Sequence, residues 1–569
     1  MLVAEYTGGV VVLSSKTLVP IPSNGVIVRH TGTHRYVFKV LRTFRNAKGQ
    51  PTNTRVQIGR VDEASGLLVP NDAYWVSFPD SKPASVGDSS GGGGAGVEVL
   101  PEPDSIRSAG GGFVADKICH DLGVDRLLGE ALGASRASMV ATVASYMLAR
   151  GNVMDGLGDF CGEQLLSSAP VDGQGASEVF ATISHADRMR FFRPWAQGQP
   201  DDSCYAYDVT SLSSYAEGIA DTEWGYNRDG ERLPQINLGC YVNQSNALPV
   251  FYLTYPGSIV DCSHLPYMMA FNQELGVDKV SFVMDQGFCS TTNLEYMAGQ
   301  HLGVIVKTSL RHKSVRQAVE QVQAGITSLR YRLDQDVYAR TVTGRFYGVA
   351  ARLHIYHDAN IAERQRRDLN RLIQTREETL AQLATITAQE AKPFRVYHKI
   401  TILADGTFTY EPDWDKIDQL GANNGFFALL TTGPLDASQT LDVYRRKDLI
   451  EKTFDDLKNH LEMDRLRTHN TDTTDGKLFA AFIALIITSY LQTKLGDLMR
   501  EKSWSKHTII AELNKIRVVT TSNGTRLLNP LTKTQRDILA ALGYTFDDIK
   551  NHISALTPST TYMQQTTGI

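Results

Sequence analysis

With 569 residues, the chain is long enough for several domains. Its 42% apolar and 21% charged residues are those of an ordinary soluble protein, and a net charge of −5 excludes a uniformly basic polyanion binder. The first residues lack a basic segment followed by an apolar core and a cleavage site, so no signal peptide is expected. The longest apolar run, 479–491, is too short to span a bilayer and reads as a buried helix. Six widely spaced cysteines (Cys119, Cys161, Cys204, Cys240, Cys262 and Cys289) contain no C-x-x-C pair, which argues against a disulfide framework or zinc site and for reduced thiols in a cytosol.

The charge is segregated along the chain. No Asp or Glu occurs between positions 6 and 61, while Lys16, Arg29, Arg35, Lys39, Arg42, Arg45, Lys48, Arg55 and Arg60 give nine positive charges. Alternating runs at 35–40 and 55–59 bracket a turn-rich stretch at 46–51, and 1–80 is read as a basic β-rich module. Such a sheet is either a DNA-contacting module or an accessory sheet with incidental charge. Residues 81–112, rich in Ser, Gly and Pro, predict a linker. The glycine run at 91–96 lacks the Gly-Lys-Ser/Thr and the preceding strand that a phosphate-cradling loop needs. Helical periodicity follows, with Ile118, Leu122, Leu127, Leu128 and Leu132 on one side and a buried helix at 139–148. Residues 113–195 form a helical candidate DNA-binding domain, although packing accounts for most of its apolar positions.

From 204 the periodicity changes. Strands are predicted at 205–211, 235–242 and 249–255, then a helix at 264–275, a strand at 279–284, a helix at 291–298 and a strand at 303–306. Three strands, helix, strand, helix, strand is a mixed α/β layout with helices packed on a sheet. The order breaks at 308–424, which is read as an inserted mixed β/helical domain with a long charged helix at 360–383. Between 301 and 376 there are fourteen Lys/Arg against six Asp/Glu, a second basic footprint. The α/β pattern resumes at 425–500 with a strand at 426–432, an amphipathic helix at 444–458 and the apolar helix, and 501–569 reads as a C-terminal helical region.

Two aspartates stand where a metal site would want them. Asp208 lies inside the first strand of the mixed sheet and Asp285 closes the fourth, where loops at strand ends leave room for ligand. A carboxylate in a core strand is costly unless paired, hydrogen-bonded or metal-bound, though each alone could equally be a turn or capping residue. In the helix at 444–458, offsets of three, four and seven bring Tyr444, Lys447, Glu451 and Lys458 to one face, with Leu449, Ile450 and Leu457 opposite. Alone, Lys447 and Glu451 read as a surface ion pair. Beside Asp208 and Asp285, Glu451 becomes a candidate third carboxylate, with Asp455 its rival one turn on.

The sequence resembles the bacterial insertion-sequence DDE transposases whose third-carboxylate helix carries the YREK signature. Tyr444, Glu451 and Lys458 match that signature, and Lys447 stands where the family has Arg, which keeps the charge but loses the planar bidentate fork. Asp285-Gln-Gly-Phe resembles the family's second-Asp motif, Tyr207-Asp-Val-Thr its first, and Gly225-Tyr-Asn-Arg-Asp-Gly with Pro234-Gln235 its first hairpin. The likeness is clearest over 204–307 and 425–491.

The resemblance implies an RNase H-like α/β fold, with 196–307 and 425–500 as the two parts of the core and 308–424 between its last strand and the Glu-bearing helix. Asp208, Asp285 and Glu451 would be the catalytic residues and metal ligands; three carboxylates suit hard cations, so Mg²⁺ is expected, as two ions, with Mn²⁺ as substitute. The implied activity is binding of terminal inverted repeats, cleavage at the element's ends and joining of the 3′-OH to target DNA. Tyr444, Lys447, Lys458, Arg364 and Arg367 are the DNA or phosphate candidates; for the helical arginines the alternative is a solvated face. Trp414 is the candidate base-stacking residue, against the usual preference of Trp for packed sites. Expected partners are double-stranded DNA and a second copy in a synaptic homodimer, in a bacterial cytoplasm at the nucleoid. The alternatives are an RNase H-like nuclease without strand transfer and a catalytically decayed DNA-binding protein.

Overall fold

The computed structural model describes residues 5–7, 10–12, 19–31, 34–45, 51–62, 66–78, 103–200, 204–277 and 280–556. Most of the expected linker, with Lys16 and Lys48 of the basic module, lies outside them. The chain divides into two compact units, one made of 1–125, 138–176 and 494–569, the other of 126–137 and 177–493.

The first unit holds two sheets. Val26–Thr31, His34–Arg45, Pro51–Val61 and Leu68–Pro70 form an antiparallel meander, as the alternation in the basic module predicts. One face is closed by Val37, Ile58, Val61, Leu68 and Tyr74. Arg29, Tyr36 and Arg60 are cross-strand neighbours, with both arginines exposed. The second sheet joins Glu5–Thr7, Val10–Val12, Arg526–Leu528, Arg517–Thr521 and Pro103–Ser108 in that order. Two expected boundaries therefore shift. The linker span ends in a strand and the start of helix Gly110–Asp121, and the C-terminal region is not purely helical. The β-branched run Arg-Val-Val-Thr-Thr at 517–521 buries Val518 and pairs on both sides, which a helical reading cannot satisfy.

The second unit is built on one eight-stranded sheet. In chain order it contains α1 (His185–Gln197), β1 (Cys204–Ser213), β2 (Gln235–Asn243), β3 (Pro249–Pro256), α2 (Asp261–Leu275), β4 (Ser281–Met284), α3 (Thr291–Gly299) and β5 (Gly303–Thr308). It continues through β6 (Val337–Phe346), β7 (Val349–Asp358), α4 (Ala359–Gln382), α5 (Trp414–Gly421), β8 (Phe426–Thr431), α6 (Ala437–Arg445), α7 (Asp448–Asp455) and, up to Thr493, α8 (Thr471–Lys502). The strand order is β3-β2-β1-β4-β5-β8-β7-β6. An antiparallel β1–β2–β3 meander continued by parallel β4 and β5 is the RNase H-like arrangement. All of β2 is buried, so both faces of the sheet are covered at this strand.

Two strands of the expected insertion, β6 and β7, extend this same sheet through β8. Their alternation lets Ala351, Leu353 and Ile355 face a core, so they join the existing sheet edge instead of founding a separate domain. What stands apart is α4 with the hairpin His398–Ile402 and Phe408–Pro412, closed by Leu380, Ile386, Ala391 and Phe394. Helix α8 is long and apolar enough to cross a membrane, but 78% of its most apolar window is buried; Phe479 and Phe482 pack edge-on against Phe192 of α1.

Candidate active site

The register of the parallel strands decides where the first two carboxylates meet. Ser281 lies beside Cys204 and Val283 beside Ala206, an offset of 77 residues, and Asp285 follows Asp208 by the same interval. Side chains at equal register on adjacent strands point to one face, so both aspartates emerge together from the sheet. Asp208 lies within β1, where its Oδ1 accepts the Val209 amide at 2.8 Å. Asp285 is exposed at the mouth of β4, heading the tight turn 286–288.

The expected single helix at 444–458 is interrupted. Helix α6 ends at Arg445, α7 begins at Asp448, and a π-helical turn occupies Asp456–His460. The break directs Tyr444 and Lys447 toward the carboxylates from its two sides. The Tyr444 hydroxyl donates to Asp285 Oδ1 at 3.2 Å. Lys447 Nζ donates to Asp208 Oδ2 at 3.2 Å and to Glu451 Oε1 at 3.3 Å. Glu451 is mostly exposed, while Ile450, Phe454 and Leu457 seat the segment on the core and Leu449 is only half-buried. Asp455 takes the Asn459 amide at 2.6 Å instead.

Electrostatics follow from burial and proximity. Burial pushes the Asp208 carboxyl above its ordinary range, against the pull of the Lys447 ammonium. Burial disfavours the Lys447 charge, yet Asp208, Asp285 and Glu451 together hold its pKa above the usual lysine value. Burial, then Asp285, Glu451 and Asp208, push the Tyr444 phenol up. One buried ammonium, with 7% exposure, thus sits among three carboxylates.

The donor set fits a hard divalent cation in kind, because it is all carboxylate oxygen and is already organised around a positive charge. Among the described residues no three His, Cys, Asp or Glu side chains form a ready metal cluster, since Lys447 Nζ lies between Asp208 and Glu451.

The remaining sequence-predicted residues are spread around this cluster. Lys447 is buried among the carboxylates, turned away from solvent. Lys458 does not share the Glu451 face; the π turn carries it to Asp229, which it meets at 2.6 Å. Arg364 and Arg367 are exposed on α4, Arg367 beside Glu363 at 3.6 Å, and neither bonds to the cluster. Trp414 opens α5 and is 63% exposed, against the packed reading of this tryptophan: the small hairpin subdomain buries Phe394, half-buries Phe408 and Tyr410, and leaves this ring outside.

Sequence reading missed two features. A cavity of about 370 Å³ adjoins Tyr444 and Gln286, lined by Phe426, Phe427, Lys307 and Arg445. The loop between β1 and β2 is tied down by ion pairs, Arg228 to Asp261, Asp229 to Lys458 and Glu231 to Arg465. The sequence signals for the second were the likeness of 225–235 to the family's first hairpin and the charge-rich Asn-Arg-Asp-Gly-Glu-Arg at 227–232, neither of which names the partners.

The family profile described as Transposase DDE domain matches residues 199–487, about half of the chain. Among solved structures, the chain is similar to a piggyBac transposase in a synaptic complex with hairpin DNA, determined by cryo-electron microscopy. The TM-score is 0.35 at 11% identity, covering 79% of this chain and 83% of that one. No curated protein matches the sequence.

Proposed function

The chain belongs to the family of proteins with a transposase DDE domain, and from that premise we propose that it is the cut-and-paste transposase of a bacterial insertion sequence with the YREK signature. It binds the terminal inverted repeats, cleaves DNA at the element's ends and joins the freed 3′ hydroxyl to target DNA. The observation that carries this reading is the meeting of Asp208, Asp285 and Glu451 around Lys447 and Tyr444.

Members of this family use divalent metal ions. Asp208, Asp285 and Glu451 would hold them, and their hard oxygens favour Mg²⁺, as two ions, with Mn²⁺ as substitute. When bound, such ions neutralise charge on the scissile phosphate and activate the attacking oxygen. The protein's part is positional. Asp208 is fixed by its strand and the Val209 amide, Asp285 is oriented by the Tyr444 hydroxyl, and Lys447 keeps the three carboxylates together before metal and DNA arrive. Arg364 and Arg367 on the open face of α4 would meet phosphates, and Trp414 would stack on a base. Synapsis of two ends calls for a homodimer on DNA, in the cytoplasm at the nucleoid.

The test is cleavage and strand transfer on end-containing DNA by Asp285→Ala and Glu451→Gln. Both variants should bind DNA and leave it uncut. Wild-type rates in a folded variant would overturn the assignment. Cleavage without any joined product would reduce it to a nuclease.

A further inference from the structure

The loop between β1 and β2 does more than brace the site. Glu223 and Gln235 exchange backbone hydrogen bonds at 3.0 and 2.9 Å, and the buried Gln235 amide donates to the Tyr226 carbonyl at 3.0 Å. The Asn227 amide donates to Ser213 Oγ at 3.1 Å, and the Arg228 N–H to Ser211 Oγ at 3.1 Å. Gly225 packs directly on Gly257, where a Cβ would collide with the Gly257 carbonyl. Gly225 faces this contact, and the residues on either side of it are exposed. They are Trp224, 66% exposed, and Tyr226, 83% exposed.

Two large rings held in solvent by a fixed backbone are unusual, since Trp and Tyr bury most of their surface in folded proteins. Their position narrows the occupant. Two residues beyond Tyr226, Arg228 lies within electrostatic reach of Asp208, and Asp229 takes Lys458 from the Glu-bearing segment. Most charges nearby are paired, Asp261 with Arg228, Asp229 with Lys458 and Glu231 with Arg465, while Glu223 takes the Ser258 hydroxyl and adds its negative charge to that of Asp221. Among the described residues Arg232 is without an ion pair. A surface with one spare cation is poorly suited to tracking duplex phosphates, which needs many. Aromatic rings on the loop whose Arg228 and Asp229 reach the carboxylate site suit the faces of unpaired bases, and stacking tolerates any base.

We propose that Trp224 and Tyr226 form a stacking platform for unpaired bases of the DNA strand entering the carboxylate site, which rests on the reading that this site cuts DNA. The probe is a duplex with a short single-stranded overhang carrying 2-aminopurine, mixed with the full chain in Ca²⁺ so that binding is read without turnover. Wild-type protein should quench the overhang fluorescence and prefer the overhang to a blunt duplex by about tenfold or more. Trp224→Ala/Tyr226→Ala should lose the quench and the preference, and Trp224→Phe/Tyr226→Phe should restore both, with an unchanged melting temperature showing that the loop still folds. Retention of quench and preference by the alanine variant would overturn the platform. So would a dimer in sedimentation that the alanine variant dissolves while overhang binding is untouched, which would assign the rings to a second copy of the chain. The two readings separate cleanly: a wild-type protein that quenches but never cuts in Mg²⁺ fails as a nuclease, whereas one that cuts but shows no ring-dependent quench fails only here.

Discussion

Asp285 follows directly on β4 and, with Asp208, continues the offset of 77 residues that sets Ser281 beside Cys204 and Val283 beside Ala206. The pair is a property of the sheet, more than of the loop that carries Asp285. A single glycine inserted between Met284 and Asp285 would therefore swing the carboxylate off this face, because side chains alternate at every residue. Cleavage should fall by about a hundredfold or more, beyond the loss typical of residues that merely support a metal ligand. Thermal unfolding should change little, since the insertion follows the last paired residue of β4. Cleavage assays beside melting curves on the insertion variant and Asp285→Ala check this.

Lys447 occupies the space that a divalent cation would share with Asp208 and Glu451. Ammonium and metal compete for the same lone pairs, so Lys447→Met should bind Mn²⁺ more tightly in the absence of DNA, by roughly tenfold if a charge-assisted hydrogen bond is what metal must displace. The same variant should cleave more slowly, because Asp208 and Glu451 lose the ammonium that positions them before metal and DNA arrive. Calorimetric Mn²⁺ titration gives the first result and single-turnover cleavage the second. Unchanged metal affinity would mean that Lys447 stays in place when metal binds.

The elements that carry the site were legible in sequence because their signals are local, whereas the grouping of Asp208, Asp285 and Glu451 came from the resemblance. Strand and helix order from 204 to 308 follows from hydrophobic periodicity, and the carboxylates sit at positions such a layout makes available. What sequence could not show was geometry of longer range. A seven-residue offset puts Lys458 under Glu451 only in an unbroken α-helix; the π turn at Asp456–His460 sends it to Asp229. Lys447 read as a surface lysine because its i,i+4 partner was visible, while Asp208, 239 residues away, was not. The β6–β7 hairpin looked like an insertion because β8, the strand that pairs β7 into the sheet, comes some 70 residues later.

In the N-terminal sheet, Arg29 and Arg60 flank Tyr36 across three strands and are exposed. If this face meets DNA, Arg29→Ala/Arg60→Ala should weaken binding to all sequences alike and flatten the dependence of log affinity on log salt by about 0.9 for each phosphate no longer neutralised. Fluorescence anisotropy over a salt series measures the slope. An unchanged slope would leave the basic sheet with an accessory role.

Lys477 offers a pH test of the core. Its ammonium is buried near the start of α8, donates to the Leu466 carbonyl at 3.0 Å, and is depressed to about 7, first by burial and then by Arg467. Below pH 7 the lysine is charged in both folded and unfolded chains, and the cost of burying that charge is fully present. Between about 7 and the ordinary 10.5 the unfolded chain holds the proton more tightly, so stability rises with pH across this window. Lys477→Met has no proton to lose there, and its stability should be flatter from pH 7 to 10 even if the lost hydrogen bond lowers it throughout. Urea unfolding of both proteins at several pH values decides the matter, and equal slopes would show that Lys477 stays charged in the fold.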